Sequence, residues 1–197
     1  MHRFKSHTQE HFNNDKKMKK TLLFSALLAV TAFTATAQSS AEVALSVTLH
    51  PIQTIEINSG KRVNLDYVEK DHYTNGVTSD QLDHLSIYST GAFAVNVRST
   101  ATTLKNPNTA VVTTDIAAKD IKITPSLGSS ELRGSVLKTV RLSIEPQLLI
   151  SNTKGGFDKK FNINYAAAGA DKYVNKYFKE ESPTVYSTTV VYTIEAQ

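Results

Sequence analysis

The densest collection of reactive side chains in this 197-residue chain is DYVEKDHYTNGVTSDQLDH, residues 66–84. It gathers Asp66, Glu69, Asp71, Asp80 and Asp83 with His72 and His84. Carboxylates supplemented by carbonyls are what Ca²⁺ takes. The order D-x-[DN]-x-[DN]-G of an EF-hand is absent. The stretch therefore reads first as a solvated loop between strands, with Ca²⁺ left open. Zinc needs three or four ligands at workable spacing. Beyond residue 37 the histidines are His50, His72 and His84, with no H-x-x-x-H pair, so no metal site is assigned.

Other chemistry has even less to work with. A nucleophilic serine needs an adjacent base, and no G-x-S-x-G is present. The serines of GSSELRGS (128–135) are ordinary turn residues. Glycoside cleavage needs two carboxylates about 5–9.5 Å apart, and nothing in the sequence singles out a pair. Neither common phosphate-binding glycine loop occurs. The expectation is a protein that is not an enzyme, with no catalytic residue and no cofactor.

Binding is better represented. DKYVNKYFKEE (171–181) interleaves Tyr173, Tyr177 and Phe178 with Lys172, Lys176 and Lys179. Tyrosine pairs an apolar body with a polar tip and can stack on a sugar ring. Tyr173 and Tyr177 are also spaced i,i+4, which would pin a short helical turn onto a core. KGGFDKKF (154–161) sets lysines beside phenylalanines, but Gly155-Gly156 reads as a hairpin turn.

The element that delivers the chain to its place of work is KKMKKTLLFSALLAVTAFTATAQ, residues 16–38. A cationic start, a short apolar core and a small-residue cleavage site define a secretory signal. Lys16, Lys17, Lys19 and Lys20 supply the charge, and Leu22 to Phe33 the apolar core. Ala35-Thr36-Ala37 supplies the site, with cleavage between Ala37 and Gln38. The apolar run is shorter than the roughly 20 residues of a spanning helix, so no stable membrane span is expected after cleavage. Residues 18–37 are read as the signal peptide, and residues 1–17 as an upstream mis-start extension. His2, His7 and His11 belong to that extension and would leave with it.

Cleavage also changes the charge. The whole chain carries 22 Lys+Arg against 18 Asp+Glu, a formal +4. Residues 1–37 hold Arg3, Lys5, Lys16, Lys17, Lys19 and Lys20 against Glu10 and Asp15, leaving 16 of each sign in residues 38–197. A net-neutral chain lacks the basic excess of a nucleic-acid binder. Cysteine is absent, so stability must come from a hydrophobic core, which a domain of this size can supply.

Residues 38–197 are expected to form one domain, with a periodicity of two almost throughout. Val43/Leu45/Val47/Leu49, Ile55/Ile57, Val63/Leu65/Tyr67, Leu85/Ile87 and Phe93/Val95/Val97 alternate with more polar neighbours. So do Ile121/Ile123, Val140/Leu142/Ile144, Phe161/Ile163/Tyr165 and Val190/Tyr192/Ile194. Such alternation marks strands with one buried face. Turn signals at Asn58-Ser59-Gly60, Asn75-Gly76, Asn106-Pro107-Asn108, Gly128-Ser129-Ser130 and Lys154-Gly155-Gly156 separate them. The fold expected is all-β, an antiparallel sandwich. Two short helical pieces are predicted, one turn in TSDQLDHL (78–85 region) and two in ADKYVNKYFKEE (170–181).

The exported, cysteine-free, Thr/Val-rich chain ending in VYSTTVVYTIEA resembles bacterial fimbrial-type subunits and their spore-coat-U-like relatives. Its leader is similar to those of Bacteroidetes surface proteins. The resemblance implies an immunoglobulin-like β-sandwich closed by a terminal strand, working at the cell surface, in secretion or in the periplasm. It implies a structural or adhesive role with identical subunits or surface glycans as partners. The alternative is a carbohydrate-binding module using the 171–181 aromatics. The run AEVALSVTLHPIQTIEI, with Val43, Leu45, Val47 and Leu49 on one face, is then either the domain's own first strand or one donated to a neighbouring subunit.

Overall fold

The computed structural model describes residues 39–112 and 114–197. The chain divides into two units, and the second, Thr48–Gln197, holds every strand of the described residues. The predicted leader, with the cleavage pair Ala37 and Gln38, lies outside the described residues.

The second unit is an antiparallel β-sandwich, as the period-two pattern leads one to expect. Its strands are β1 (Gln53–Ile57), β2 (Val77–Ser89), β3 (Phe93–Ser99), β4 (Thr103–Leu104), β5 (Ile116–Ala117) and β6 (Lys122–Leu127). They continue as β7 (Val136–Leu137), β8 (Val140–Arg141), β9 (Gln147–Asn152), β10 (Gly156–Ala167) and β11 (Val190–Ala196). One sheet runs β1-β2-β10-β6-β8 and the other β11-β3-β9-β7, with β4-β5 a separate ribbon. Two short connections change sheets: residues 90–92 between β2 and β3 and residues 153–155 between β9 and β10 both cross the sandwich.

Most of the inward residues are those that alternation picks out, the adjacent Leu149 and Ile150 of β9 being exceptions. Leu85, Ile87, Ile123, Phe161 and Ile163 meet Phe93, Val95, Val97, Leu149 and Ile150, all fully buried. Burying a side chain of this kind contributes about 1.5–3 kcal/mol, which is how a cysteine-free chain holds together. Ile144 departs from the pattern at 43% exposure, beyond the end of β8. Val63, Leu65 and Tyr67 also pack on the core, although they belong to no strand.

Five local expectations are corrected. TSDQLDHL is not helical: it lies in β2, where its polar alternation faces outward and Asp83 (φ 49°) marks an irregularity in the pairing with β10. The short helix sits earlier, α1 at Lys70–Asn75. The 66–84 stretch is therefore not a loop. ADKYVNKYFKEE makes turns rather than helix, because Ala170, Asp171 and Asn175 adopt left-handed φ values of 53°, 56° and 66°, which interrupt a right-handed helix. Gly155-Gly156 does not close a hairpin, since β9 and β10 lie in different sheets. Gly155 instead presses against the backbone of Ser89–Gly91, where a Cβ would collide. Finally, residues 39–52 form no strand, although Val43, Leu45, Val47 and Leu49 alternate at strand spacing.

Candidate functional site: a tyrosine-lined cleft

Beside α1 the surface opens into a cleft of about 480 Å³ lined by Lys70, Tyr73, Asp171, Tyr173, Val174, Asn175 and Tyr177. Two elements build it. α1 contributes Lys70 and Tyr73, and the turns after β10 contribute the rest. Backbone bonds join them: Ala170 N–H donates to the Thr74 carbonyl at 2.7 Å and Asp171 N–H to the Tyr73 carbonyl at 2.9 Å. Gly169 permits this approach, because a Cβ there would lie 2.5 Å from the Asn75 carbonyl carbon and the Thr74 oxygen. The sequence predicts Tyr173 and Tyr177 as partners, and both line the cleft. They divide the work: Tyr173 is buried at 7% exposure, whereas Tyr177 stands 58% exposed. Phe178 sits in the adjoining turn, where its N–H donates to Thr184 Oγ1 at 2.9 Å, and does not line the cleft.

The floor is aromatic. Tyr67 packs edge-on against Tyr73 and Tyr173, with centroids 5.3 and 5.1 Å apart, a favoured arrangement for such rings. The Tyr67 hydroxyl donates to the Ala168 carbonyl at 2.6 Å. The buried Tyr173 hydroxyl has no hydrogen-bond partner among the described residues. Burial, reinforced by the Asp120 carboxylate, pushes the Tyr173 phenol up to about 12. Tyr67 is raised further, by burial and then by Tyr173. Both therefore stay neutral at physiological pH. Asp120 in turn pairs with Lys172 at 2.6 Å. Lys70 takes part in none of the ion pairs found among the described residues.

A second polar constellation was missed in the sequence. Ser59 Oγ lies 2.5 Å from His84 Nδ1, His84 Nε2 3.0 Å from the Tyr165 hydroxyl, and that hydroxyl 2.6 Å from Tyr192 Oη. His84 is 2% exposed. A serine beside a histidine is the start of a nucleophile–base pair. Here, however, the far ring nitrogen meets a phenol, and the chain runs on to Tyr192 in the other sheet. Burial holds the His84 pKa below the ordinary imidazole value. It also raises Tyr165 to about 12 and Tyr192 well above the usual phenol range. Four neutral groups sharing three bonds tie β1's outgoing turn, β2, β10 and β11 together. Their partners are 25, 81 and 27 residues apart in the chain, and no local pattern signals such a set.

The other acidic residues of 66–84 are spread out. Asp80 accepts from Asn164 Nδ2 at 2.7 Å, and Asp83 accepts from Ser129 N–H at 2.8 Å and Ser129 Oγ at 2.5 Å. Those Ser129 bonds hold the Asp83 carboxyl below its ordinary pKa. His72 Nδ1 accepts from the Val68 and Glu69 amides at 3.1 and 3.3 Å at the start of α1. Among the described residues no three of His, Asp and Glu converge to hold a metal ion. His50 is exposed and outside any strand. In the 154–161 stretch Lys160 pairs with Asp158 at 2.7 Å and donates to Ser86, while Phe157 leans on Tyr88 at 5.9 Å.

The N-terminal candidates are exposed. Val43, Leu45, Val47 and Leu49 show 91, 90, 79 and 86% of their surface. No helix among the described residues is long and apolar enough to cross a membrane. No protein-family model matches the chain, and neither does any curated protein.

Proposed function

We propose that this chain is an exported structural or adhesive β-sandwich subunit of fimbrial type. It works at the cell surface, in secretion or in the periplasm, and makes contact with copies of itself rather than catalysing a reaction. The observation that carries the reading is the state of Val43, Leu45, Val47 and Leu49. Four apolar side chains at period two stand 79–91% exposed in a segment that forms no strand. Exposed alternation of this kind is a strand without a sheet, and a free sheet edge is its natural partner.

The sandwich offers such edges. β1 and β11 are the outermost strands of the two sheets and lie near one another on the same side of the sandwich. β11, Val190–Ala196, is seven residues long, the same length as Val43–Leu49. The stretch VALSVTL carries no charge, so a second copy can take it up without burying an unpaired ion. Each valine or leucine buried on addition contributes about 1.5–3 kcal/mol.

The test is a truncation. β1 starts at Gln53, and Ile52 is tied to Thr90 through its N–H at 2.9 Å and its carbonyl at 3.0 Å. Removal of residues 38–50 should therefore leave a folded monomer while abolishing SDS-resistant ladders from surface fractions. A truncated chain that unfolds would place the run within its own domain and end the proposal.

A further inference from the structure

We propose that the cleft between α1 and the 170–177 turns is a binding site for a neutral pyranose saccharide. The claim is independent of strand addition, which involves none of its residues.

Three observations converge. The cleft's volume, about 480 Å³, falls within the range of small-ligand sites, about 300–1,000 Å³. Its lining combines ring faces with a few polar groups. Tyr177 is 58% exposed and Val174 48% exposed, an apolar rim left open to water. Against this rim the C–H face of a pyranose can stack. Asp171 offers acceptors, Lys70 donors, and the Asn175 amide both. That set matches vicinal hydroxyls, each of which donates and accepts. One cation and one carboxylate leave the lining near neutrality, which disfavours a phosphate or a quaternary amine relative to an uncharged ring.

The third observation is preorganisation. Ala170, Asp171 and Asn175 hold left-handed φ values within six residues, and backbone bonds from Ala170 and Asp171 to Thr74 and Tyr73 fix the turn onto α1. Non-glycine residues in sparsely populated backbone regions cluster at ligand clamps and other functional sites. A rigid turn also spares the ordering cost that weakens loop-borne sites. Tyr173 forms the floor, and Tyr177 is the platform that the ligand touches.

The probes are methyl mannopyranoside, lactose, cellobiose and chitobiose, with glucuronate as a charged comparison. Each is titrated into the full chain while backbone amide NMR signals are followed. At least one neutral saccharide should shift amides of Tyr73 and of residues 171–177. Tyr177→Ala should weaken that saccharide at least tenfold, and Asn175→Ala should weaken it measurably. Tyr177 is exposed, so its replacement should leave the melting temperature unchanged. Absence of shifts with every neutral sugar, binding of glucuronate alone, or shifts that persist unaltered in both variants would overturn the proposal.

Discussion

His84 and Tyr165 meet inside the sandwich with their rings perpendicular, 5.7 Å between centroids, and His84 Nε2 lies 3.0 Å from the phenolic oxygen. The pair joins β2 to β10 and hands the hydrogen-bond chain on to Tyr192 in β11. Because His84 is buried and its pKa is depressed, folding favours the neutral ring. The unfolded chain, with an imidazole near the ordinary value of about 6.5, then binds more protons between that value and the folded one.

Stability should therefore fall as pH drops below about 6.5. The slope for one proton is at most about 1.4 kcal/mol per pH unit. Asp83 and Asp158, whose pKa values are lowered, lose their contribution only at more acid pH, below the ordinary carboxylate value. Urea melts at pH 7.5 and 5.5 check this, and His84→Gln should flatten the difference. A wild-type midpoint unchanged between those pH values would show that the ring is not held neutral.

Gly155 tests the sheet crossing. A Cβ there would meet Gly91 N at 2.7 Å and the Thr90 carbonyl carbon at 2.8 Å, while one at Gly91 meets nothing within 4 Å. Gly155→Ala should cost about 1–3 kcal/mol, as overpacking does, and Gly91→Ala should be neutral. Denaturant melts of the two single variants give the comparison.

The cleft floor permits a matched pair of phenol deletions. Tyr67→Phe removes the bond to Ala168 and should cost about 0.5–1.5 kcal/mol. Tyr173→Phe removes a buried hydroxyl that has no partner among the described residues, so it should be neutral or stabilising. Equal losses in the two variants would mean that the Tyr173 hydroxyl is satisfied in solution.

Architecture was legible in the sequence because one-sided burial writes itself as period two. Leu85/Ile87, Phe93/Val95/Val97 and Phe161/Ile163 are inward on that count alone, and all are buried. β2's first half misleads because Thr78 and Ser79 imitate a helix cap, although Thr78, Asp80 and Leu82 all face outward at strand spacing. Gly155-Gly156 misleads because a tight crossing between sheets and a tight hairpin both require glycine. Tyr173 and Tyr177 were visible as a pair, but not their division into floor and platform, which depends on left-handed turns at Asp171 and Asn175. The Ser59–His84–Tyr165–Tyr192 chain was invisible, since its members come together only through tertiary packing.

The central claim is that Val43, Leu45, Val47 and Leu49 are the means by which copies of this chain associate. Sedimentation velocity over a range of concentrations addresses it directly, comparing the chain beginning at Gln38 with its Leu45→Glu/Val47→Glu variant. The unsubstituted chain should sediment as a concentration-dependent series of oligomers, and the variant as a folded monomer, because carboxylates cannot be buried unpaired in a partner's sheet. A monomer in both cases, or identical oligomers in both, would contradict it.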